Sequence, residues 1–466
     1  MGKGLTEIRN LQRKHYPNSR SGKKIVQTSL REIANRAERE KKYRFQNLYT
    51  MLNEINLHES WKYMNKNASY GVDQVSAKEY EANLGGNVKD LVERLKRKGY
   101  RAKLVRRKYI PKSNGNLRPL GIPATEDKLL QVAVTRILSA IYEQDFMPDS
   151  YGYRIGRSAK TAIKELHYQL QYGWFGYVVE ADIKGFFENI NHTWLIRMLE
   201  ERIRDKAFIG LIRKWLKAGI MEPDRMVVHP ATGTPQGGVV SPVLANIYLH
   251  YVLDLWFEKK VKQKSNGRVY LCRYADDFVC LFQLREEAEM FYRDLPKRLG
   301  KFGLELSEEK TRIISYSKHR MEENSRFDFL GFEFRWGIGK MGKPQIKRRT
   351  SREKFRKSLV SFKEWCKANR SLKIRDLIAK LNKKLRGYYE YYGIIGNSKS
   401  LRKFYRNVER ILKKWLNRRS QRKSYTWKGF RLMLKNYPLL EPKITQTRNY
   451  QLNIFTQSAK CGSEYH

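Results

Sequence analysis

Apolar residues follow two different spacings along this chain, and each spacing predicts one kind of secondary structure. Short runs rich in β-forming residues, without Gly or Pro, predict strands at residues 177–182, 271–273 and 278–282. Stretches in which apolar residues recur every three or four positions predict helices at residues 28–66, 88–98, 127–144 and 243–260. The chain is therefore expected to mix helices with strands.

Asn114-Gly115 lies between two short apolar runs, which predicts a β-hairpin with its turn at these two residues. Lys112 and Arg118 flank this turn and can point the same way. Two cations at a hairpin tip suit a triphosphate, because Lys supplies a point charge and Arg a planar fork of donors. Ordinary exposed cations are an equal alternative on these residues alone.

Two adjacent carboxylates, Asp276 and Asp277, fall between the strands predicted at 271–273 and 278–282. A tight turn presents such side chains to a ligand without burying them unpaired. Because like charges side by side repel, a divalent cation is the usual partner of such a pair. A polar turn without chemistry is the alternative for the tetrapeptide Tyr274-Ala275-Asp276-Asp277.

A third carboxylate, Asp182, ends the strand predicted at 177–182 and is soon followed by two aromatic residues, Phe186 and Phe187. Phosphoryl transfer by two metal ions uses carboxylates that hold the cations about 3.5–4 Å apart. Asp182 therefore supplies the further ligand that such a site needs. A helix N-cap is the more common role of Asp in this position, and it stays open at this point.

A Gly- and Pro-rich segment at 233–242 leads into the helix predicted at 243–260. Its backbone N–H groups and the helix N-terminus can face a phosphate or a nucleotide. The spacing of a Walker loop does not occur in the chain. A tight connection without a ligand is the alternative.

Charge narrows the range of partners. The formal net charge of the 466 residues is +48, and self-repulsion of this size destabilises a compact fold unless a polyanion neutralises part of it. Nucleic acid is the expected partner, and a membrane surface or a basic protein with no such partner are the alternatives. No apolar run of about 18 residues occurs, so no segment is expected to span a bilayer.

Four cysteines are scattered along the chain without a C-x-x-C pair: Cys272, Cys280, Cys366 and Cys461. This spacing predicts neither a zinc site nor a disulfide framework, and it fits a reducing compartment. The N-terminus lacks the apolar core of a secretory signal. Residues 1–27 are basic and polar, and they predict a mobile leader.

Six sequence blocks follow one another in a fixed order, at residues 109–123, 181–187, 233–242, 274–277, 303–311 and 329–332. They read Tyr-Ile-Pro-Lys-x-Asn-Gly…Arg-Pro-Leu-Gly-Ile-Pro, Ala-Asp-Ile-x-x-Phe-Phe, Gly-Thr-Pro-Gln-Gly-Gly-x-x-Ser-Pro, Tyr-Ala-Asp-Asp, Gly-Leu-Glu-Leu-Ser-Glu-Glu-Lys-Thr and Phe-Leu-Gly-Phe. The series resembles the blocks of group II intron-encoded reverse transcriptases, the intron maturases. The resemblance covers most of the chain, from about residue 45 to about residue 435.

The resemblance implies an α+β fold, the right-hand polymerase, whose fingers and palm span residues 28–340 around an antiparallel palm sheet. It implies a helical thumb, called domain X, at 341–435 and a short tail at 436–466. The implied activity is RNA-directed DNA polymerisation that copies intron RNA into DNA, together with binding of that RNA to assist splicing and retrohoming. The implied partners are the intron RNA template, a DNA primer or target and deoxynucleoside triphosphates, with no membrane.

The same resemblance assigns Asp182, Asp276 and Asp277 as catalytic carboxylates around two Mg²⁺ ions. Asp182 and Asp276 match the most direct metal ligands, and Ile183 adds its backbone carbonyl to the metal set. Further positions match residues that bind substrate: Lys112 and Arg118 on the triphosphate, Phe187 under the sugar, Gln236 near the incoming nucleotide and Lys310 near the primer. The ring of Phe187 is expected to clash with a 2′-hydroxyl and so to favour deoxynucleotides.

Residues 345–435 are helical and basic by pattern, in agreement with the implied thumb. Basic helices of this kind track a phosphate backbone, so binding is expected to weaken steeply with salt. The aromatic run Tyr388-Tyr389-Glu390-Tyr391-Tyr392 can pack in the core or stack on bases, and core packing is the more frequent role.

One departure from the family concerns the C-terminus. Many members carry a DNA endonuclease there with paired cysteines and histidines, whereas only Cys461 and His466 follow residue 436 here. We expect no endonuclease domain, and a mobile intron would then use an existing DNA 3′ end as primer.

Two other interpretations stay open: a non-catalytic RNA-binding splicing factor, and a domesticated polymerase of this lineage in host defence or repair. The three intact carboxylates argue against the first of these. We expect the protein to act in the bacterial cytoplasm or nucleoid, and the sequence leaves its oligomeric state open.

Overall fold

The computed structural model describes residues 23–111, 117–229, 231–234, 237–318, 325–339, 341–419 and 425–446. Contacts between residues divide the chain into two compact units, residues 1–317 and residues 318–466. The predicted site residues Lys112 and Gln236 lie outside the described residues, as do residues 1–22 of the predicted leader. Residues 23–27 already belong to the first described helix, α1 (Lys23–Arg39).

The first unit combines helices with two sheets. Its further helices are α2 (Glu54–Trp61), α3 (Ala77–Ala82), α4 (Leu84–Lys96), α5 (Thr125–Tyr142), α6 (Ala159–Tyr172), α7 (His192–Glu200), α8 (Lys206–Leu216), α9 (Ser241–Leu249) and α10 (Arg285–Gly300). Short 3-10 turns occur at Tyr49–Met51, Phe186–Glu188 and Glu308–Lys310. The helices predicted at 88–98 and 127–144 are confirmed as α4 and α5.

The strands of the first unit are β1 (Val105–Pro111), β2 (Leu117–Ile122), β3 (Tyr177–Asp182), β4 (Ile220–Met221), β5 (Val227–Val228), β6 (Val269–Tyr274), β7 (Asp277–Phe282) and β8 (Arg312–Ser315). The first sheet has the strand order β2-β1-β4-β5. β1 and β2 pair antiparallel, with Ile110 opposite Arg118, which confirms the two strands of the predicted hairpin. Its tip, residues 112–116, lies outside the described residues.

The second sheet has the strand order β6-β7-β3-β8, and each neighbouring pair is antiparallel. The strands predicted at 177–182, 271–273 and 278–282 are confirmed as β3, β6 and β7. Every residue of β7 after Asp277 is buried, so its sequence shows a continuous apolar run instead of an alternation. Helices α6 and α10 pack against this sheet.

The helix predicted at 243–260 is confirmed, but it is not a regular α-helix throughout. It begins as α9 with Pro242 in the first turn, where the missing N–H leaves no hydrogen bond unmade. It continues through two π-helical turns, His250–Asp254 and Phe257–Val261, into a last α-turn at Lys262–Lys264. A π-turn takes up more residues than an α-turn, so it changes which side of the helix the following side chains occupy.

The prediction of one helical stretch over 28–66 is wrong at residues 40–48, 52–53 and 62–66, where the chain is not helical. Phe45 forms an isolated β-bridge with Ile203, and its N–H donates to the carbonyl of Arg202 at 2.7 Å. This partner lies far along the chain, so local spacing gives no sign of it. A long-range contact has replaced the hydrogen bonds that a continuous helix would make.

The second unit contains β9 (Arg326–Phe329), β10 (Phe332–Ile338), β11 (Pro344–Thr350), α11 (Arg352–Ala368), α12 (Ile374–Tyr392), α13 (Ser398–Leu416) and α14 (Trp427–Asn436). The three strands form an antiparallel sheet in the order β11-β10-β9. The helical pattern of this region is confirmed by α11 to α14. The predicted domain boundary at residue 340 stays a prediction, because the contacts divide the chain after Ser317. Across both units, no described helix is long and apolar enough to cross a membrane.

The aromatic run of α12 packs in the core of the second unit at two positions. Tyr388 stacks on Phe404 with ring centroids 3.7 Å apart and planes at 9°, and Tyr389 is 1% exposed. Core packing therefore accounts for these two rings.

Candidate active site

The sheet β6-β7-β3-β8 brings the three predicted carboxylates to one end. β3 pairs with β7 so that Asp182 stands opposite Asp277. Asp276 lies in the turn between β6 and β7, directly before Asp277. The register of the two strands therefore joins residues that are far apart along the chain.

The turn that carries Asp276 is tight and strained. Tyr274 pairs with Asp277, which leaves only Ala275 and Asp276 to reverse the chain. Ala275 has φ = 58°, in the left-handed region that residues other than glycine rarely adopt. Such a conformation costs on the order of 1–3 kcal/mol and persists only where the surrounding structure enforces it.

Negative charge is concentrated at this end of the sheet. Loss of hydration at the half-buried Asp276 raises the pKa of its carboxyl above the ordinary value. The Asp182 carboxylate also raises that pKa, whereas the positive charges of Arg118 and Arg273 lower it. The charged form of Asp276 is thus disfavoured unless a cation comes close.

Lys310 provides the counter-charge for Asp182. Its Nζ donates to Asp182 Oδ2 at 2.6 Å, and this hydrogen bond raises the pKa of Lys310. The Lys310 side chain is 66% exposed and that of Asp182 is 32% exposed, so the pair adds little to stability. Lys310 therefore lies beside the predicted carboxylates, in contact with solvent.

The oxygen atoms at this end of the sheet are of the type that binds divalent ions, although the carboxylates do not enclose an ion. Within the described ranges, no three His, Cys, Asp or Glu side chains are close enough together to hold a metal ion. Beside the bridge between Ile183 and Leu306, the Lys184 N–H donates to the Glu305 carbonyl at 2.9 Å and the Ser307 N–H donates to the Asp182 carbonyl at 2.8 Å. These two hydrogen bonds do not use the Ile183 carbonyl. Carboxylate and carbonyl oxygens are the ligands that hard cations prefer, and they lie here on adjacent strand ends.

Phe187 lies in the core beneath the Gly-rich segment. It is 9% exposed, and its ring meets that of Tyr153 edge to face with centroids 6.5 Å apart. The Thr234 N–H donates to the Phe187 carbonyl at 2.8 Å. The Gly-rich segment is therefore tied to the turn that carries Phe187.

The same segment lies against β2, the strand of Arg118. Gly237 has φ = 111°, and a Cβ there would lie 2.6 Å from the carbonyl oxygen of Gly121. Only glycine allows the two backbones to approach so closely. Arg118 is exposed, and its positive charge lowers the pKa of Asp276, so the two side chains lie within electrostatic range of each other. Lys112 and Gln236, which flank these contacts in the sequence, lie outside the described residues.

No repeating sequence pattern marks four buried residues around the strained turn: Gly152, Asn246, Asp254 and Arg273. Asn246, Asp254 and Arg273 are single polar residues within otherwise apolar elements, and Gly152 lies in a polar turn. One signal was available: Arg273 interrupts an apolar strand directly before Tyr274, and arginine is almost never fully buried unless it is paired.

Two family descriptions match adjacent regions of this chain. Residues 110–334 match the reverse transcriptase (RNA-dependent DNA polymerase) domain, and this region contains every predicted site residue. Residues 353–433 match the maturase-specific domain of group II introns. The second region covers nearly all of α11 to α14.

Individual relatives agree with these matches. The chain is 32% identical over 402 residues to group II intron-encoded protein LtrA of Lactococcus lactis subsp. cremoris, covering 68% of this chain and 65% of LtrA. It is 32% identical over 325 residues to protein YkfC of Escherichia coli (strain K12), covering 63% of this chain and 82% of YkfC. It is 34% identical over 200 residues to the putative COX1/OXI3 intron 2 protein of Saccharomyces cerevisiae, covering 39% of this chain and 23% of that protein.

The chain spans slightly less than two thirds of the length of LtrA but most of the length of YkfC. Both matched domains occur in it in one order, with the reverse transcriptase domain first. The chain therefore belongs to the family of group II intron-encoded reverse transcriptases that carry a maturase-specific domain.

Proposed function

We propose that the protein is an RNA-directed DNA polymerase encoded by a group II intron, which copies the intron RNA into DNA and binds that RNA to assist its splicing and mobility. The observation that carries this proposal is the strand register that sets Asp182 opposite Asp277, beside the turn of Asp276. Nucleotidyl transfer with divalent ions uses carboxylates at neighbouring strand ends, which a bound cation would draw closer together than they lie here.

The architecture we propose is a right hand. The sheet β6-β7-β3-β8 is the palm, the β1–β2 hairpin belongs to the fingers, and α11 to α14 form the thumb. The mixture of helices and antiparallel strands supports this assignment. The domain limits proposed from the sequence, 28–340 and 341–435, are part of it.

The reverse transcriptase family uses divalent metal ions, and we assign their site here to Asp182, Asp276, Asp277 and the carbonyl of Ile183, with two Mg²⁺ ions as occupants. When bound, the ions activate the attacking 3′-hydroxyl and neutralise charge on the leaving pyrophosphate. The protein holds the carboxylates at fixed strand ends, and the disfavoured charge of Asp276 supports binding of a cation there. Lys310, which contacts Asp182, is assigned to the primer side of the site.

We assign the triphosphate of the incoming nucleotide to Arg118 together with Lys112. The exposed guanidinium of Arg118 can bind two phosphate oxygens at once, and its electrostatic effect on Asp276 supports a position near the carboxylates. Gln236 in the Gly-rich segment is assigned to the nucleotide. Phe187 is assigned to the sugar.

The RNA surface that we propose lies on α13. Arg402, Arg406 and Arg410 recur every four residues and are exposed, and we call them the α13 stripe. Apolar residues of the same helix are buried in the second unit: Leu401, Phe404, Val408, Leu412, Trp415 and Leu416. A row of arginines on one helix face suits a phosphate backbone.

The same proposal includes the partners and the cellular compartment of the protein. The partners are the intron RNA template, a DNA primer or target and deoxynucleoside triphosphates. A bacterial cytoplasm or nucleoid is the proposed compartment, and the net charge of +48 supports a polyanionic partner there.

Primer extension tests the proposed activity. Purified protein with poly(rA), an oligo(dT) primer, dTTP and Mg²⁺ is expected to lengthen the primer, and omission of template or addition of EDTA is expected to stop the reaction. A folded preparation that binds RNA but adds no nucleotide under any of these conditions would favour a non-catalytic splicing factor instead.

Sugar selection tests the role of Phe187. Phe187→Ala is expected to raise the ratio of kcat/KM for rUTP to that for dTTP by about 10- to 100-fold, because the ring no longer meets the 2′-hydroxyl. The buried ring also contributes to stability, so a loss of about 3–5 kcal/mol in the free energy of unfolding is expected. Competition between the two nucleotides in primer extension, measured well below the melting temperature, gives the ratio.

Phe208→Ala is the matched control. Phe208 lies on α8 in the same unit and is fully buried. Its removal is expected to lower stability to a similar extent without changing sugar selection. Unchanged selectivity in Phe187→Ala, or an equal change in both variants, would move the sugar contact elsewhere.

A further inference from the structure

Arg273 is the penultimate residue of β6, and its side chain is fully buried. All five N–H groups of its guanidinium make hydrogen bonds. Nε donates to Asp254 Oδ1 (2.7 Å), and Nη2 donates to Asp254 Oδ2 (2.6 Å) and to Ser150 Oγ (2.7 Å). Nη1 donates to Asn246 Oδ1 (3.1 Å) and to the carbonyl of Ala275 (3.0 Å). One side chain therefore joins several segments to the turn that follows it.

The hydrogen bond from Arg273 to the Ala275 carbonyl distinguishes this cluster from an ordinary buried ion pair. Ala275 is the residue of positive φ that reverses the chain before Asp276, and its carbonyl orientation is set by the peptide that also carries the N–H of Asp276. A guanidinium whose other four donors are fixed elsewhere holds that carbonyl in one place. The hydrogen bond thereby opposes relaxation of a conformation that alanine would not adopt by itself.

The π-helical turn explains how Asp254 and Asn246 both reach Arg273. In a regular α-helix, residues eight positions apart point about 80° away from each other. The turn His250–Asp254 between them takes up about one extra residue, which brings the two side chains to within about 20° of one another. The irregular helix therefore places the carboxylate and the amide on the side that faces β6.

Gly152 supports the turn from a second direction. The Asn246 Nδ2 donates to the Gly152 carbonyl at 2.7 Å, so the cluster also fixes this backbone. A Cβ at Gly152 would overlap the backbone nitrogen of Ala275. The backbone around Gly152 thus packs directly on the turn, with no room for a side chain.

We propose that Arg273, held by Asp254 and Asn246, is a positioning residue that fixes the turn of Ala275 and thereby the place and direction of the Asp276 and Asp277 carboxylates. This inference rests on the proposed function, because those carboxylates are its metal ligands. Arg273 touches neither substrate nor ion, and it acts through the backbone that carries the ligands.

The test compares Arg273→Lys with wild type in two measurements: primer extension across a range of Mg²⁺ concentrations, and direct binding of Mn²⁺ followed by electron paramagnetic resonance, where weaker binding is expected. Lysine keeps the charge beside Asp254 but cannot also hold Ser150, Asn246 and Ala275 in a planar fork. Rates are expressed per folded molecule, counted by thermal melting and RNA binding. We expect kcat to fall about 10- to 100-fold and the Mg²⁺ concentration for half-maximal rate to rise, as for other residues that orient metal ligands.

Arg202→Lys is the matched control. Arg202 is 3% exposed, its Nε lies 3.0 Å from Asp145 Oδ2, and it donates to the carbonyl of Ala37. It belongs to the same unit but makes no contact with the turn. Its substitution is expected to lower the melting temperature while leaving kcat and the Mg²⁺ dependence per folded molecule unchanged.

If Arg273→Lys does not fold, a second variant tests the positioning role. Gly152→Ala leaves the guanidinium intact but pushes a methyl group against the turn, and the same loss of kcat and Mg²⁺ affinity is expected. Gly210→Ala in α8 is its control, because a Cβ there meets nothing within 4 Å.

Normal kcat and normal Mg²⁺ dependence in the folded variants, Gly152→Ala included, would overturn the positioning role. An equal loss in Arg202→Lys would overturn it as well. Failure of the proposed function looks different, because the folded wild-type protein would then add no nucleotide to the primer, whereas failure of the positioning role leaves wild-type synthesis intact.

Discussion

Asp276→Ala is expected to abolish DNA synthesis on an RNA template while RNA binding stays near the wild-type level. The carboxylate is half-buried beside Asp182, and under the proposed assignment its removal deprives a bound ion of a ligand. Metal ions contribute several kcal/mol of transition-state stabilisation, and each 1.36 kcal/mol is tenfold in rate, so a loss of about 10³-fold or more is expected. Primer extension on poly(rA) with Mg²⁺ measures the rate, and filter binding measures RNA affinity.

Asp294→Ala provides the control for that substitution. Asp294 lies on α10 in the same unit with its side chain 49% exposed, and its removal changes the net charge by the same amount. It is expected to leave both synthesis and RNA binding unchanged. Near-normal polymerisation by Asp276→Ala would show that the metal site has been assigned to the wrong carboxylates.

Replacing the α13 stripe by glutamine at all three positions is expected to weaken RNA binding about 100-fold at moderate salt. Each cation that neutralises a phosphate releases a counterion, which gives a slope of about −0.7 for single strands and about −0.9 for duplex DNA in log K against log salt. Losing three such contacts therefore flattens the slope by about two to three. The buried apolar face of α13 is untouched, so the fold of the second unit is expected to persist. Affinity titrations from low to high salt give both numbers.

A triple substitution in the first unit is the matched control. Lys89, Lys96 and Lys98 are exposed at and just after α4, and changing them to glutamine removes the same number of charges. If RNA lies on α13, this variant keeps most of the salt slope. Equal slopes in the stripe variant and the wild type would place the RNA on another surface.

The separate strands and the turn of the candidate site could be predicted from the sequence. The strands β3, β6 and β7 carry runs of β-forming residues, and the adjacent Asp276 and Asp277 mark the place where the chain reverses between β6 and β7. These are local features, so local patterning finds them. The same patterning placed Asp182 at the end of one strand and Asp276 in the turn.

The arrangement of those parts could not be predicted in the same way. No local signal states that Asp182 stands opposite Asp277, because strand register is a contact between distant residues. Lys310 was assigned to the primer by resemblance, whereas its hydrogen bond to Asp182 follows from tertiary packing. The break in the helix predicted at 28–66 has the same origin, since Phe45 pairs with Ile203.

The sequence alone predicted a polyanionic partner and determined the secondary structure around the carboxylates and the identity of the residues that bear charge. Those properties reside in single residues and short spacings, and they need no knowledge of distant neighbours. Only the tertiary structure decided that Arg273 is a fully bonded buried cation, that a π-helical turn aligns Asp254 with Asn246, and that Gly152 leaves no room beside Ala275. The physical reason is that burial, hydrogen-bond saturation and steric clearance are properties of the surroundings, which the folded chain creates from segments that the sequence keeps apart.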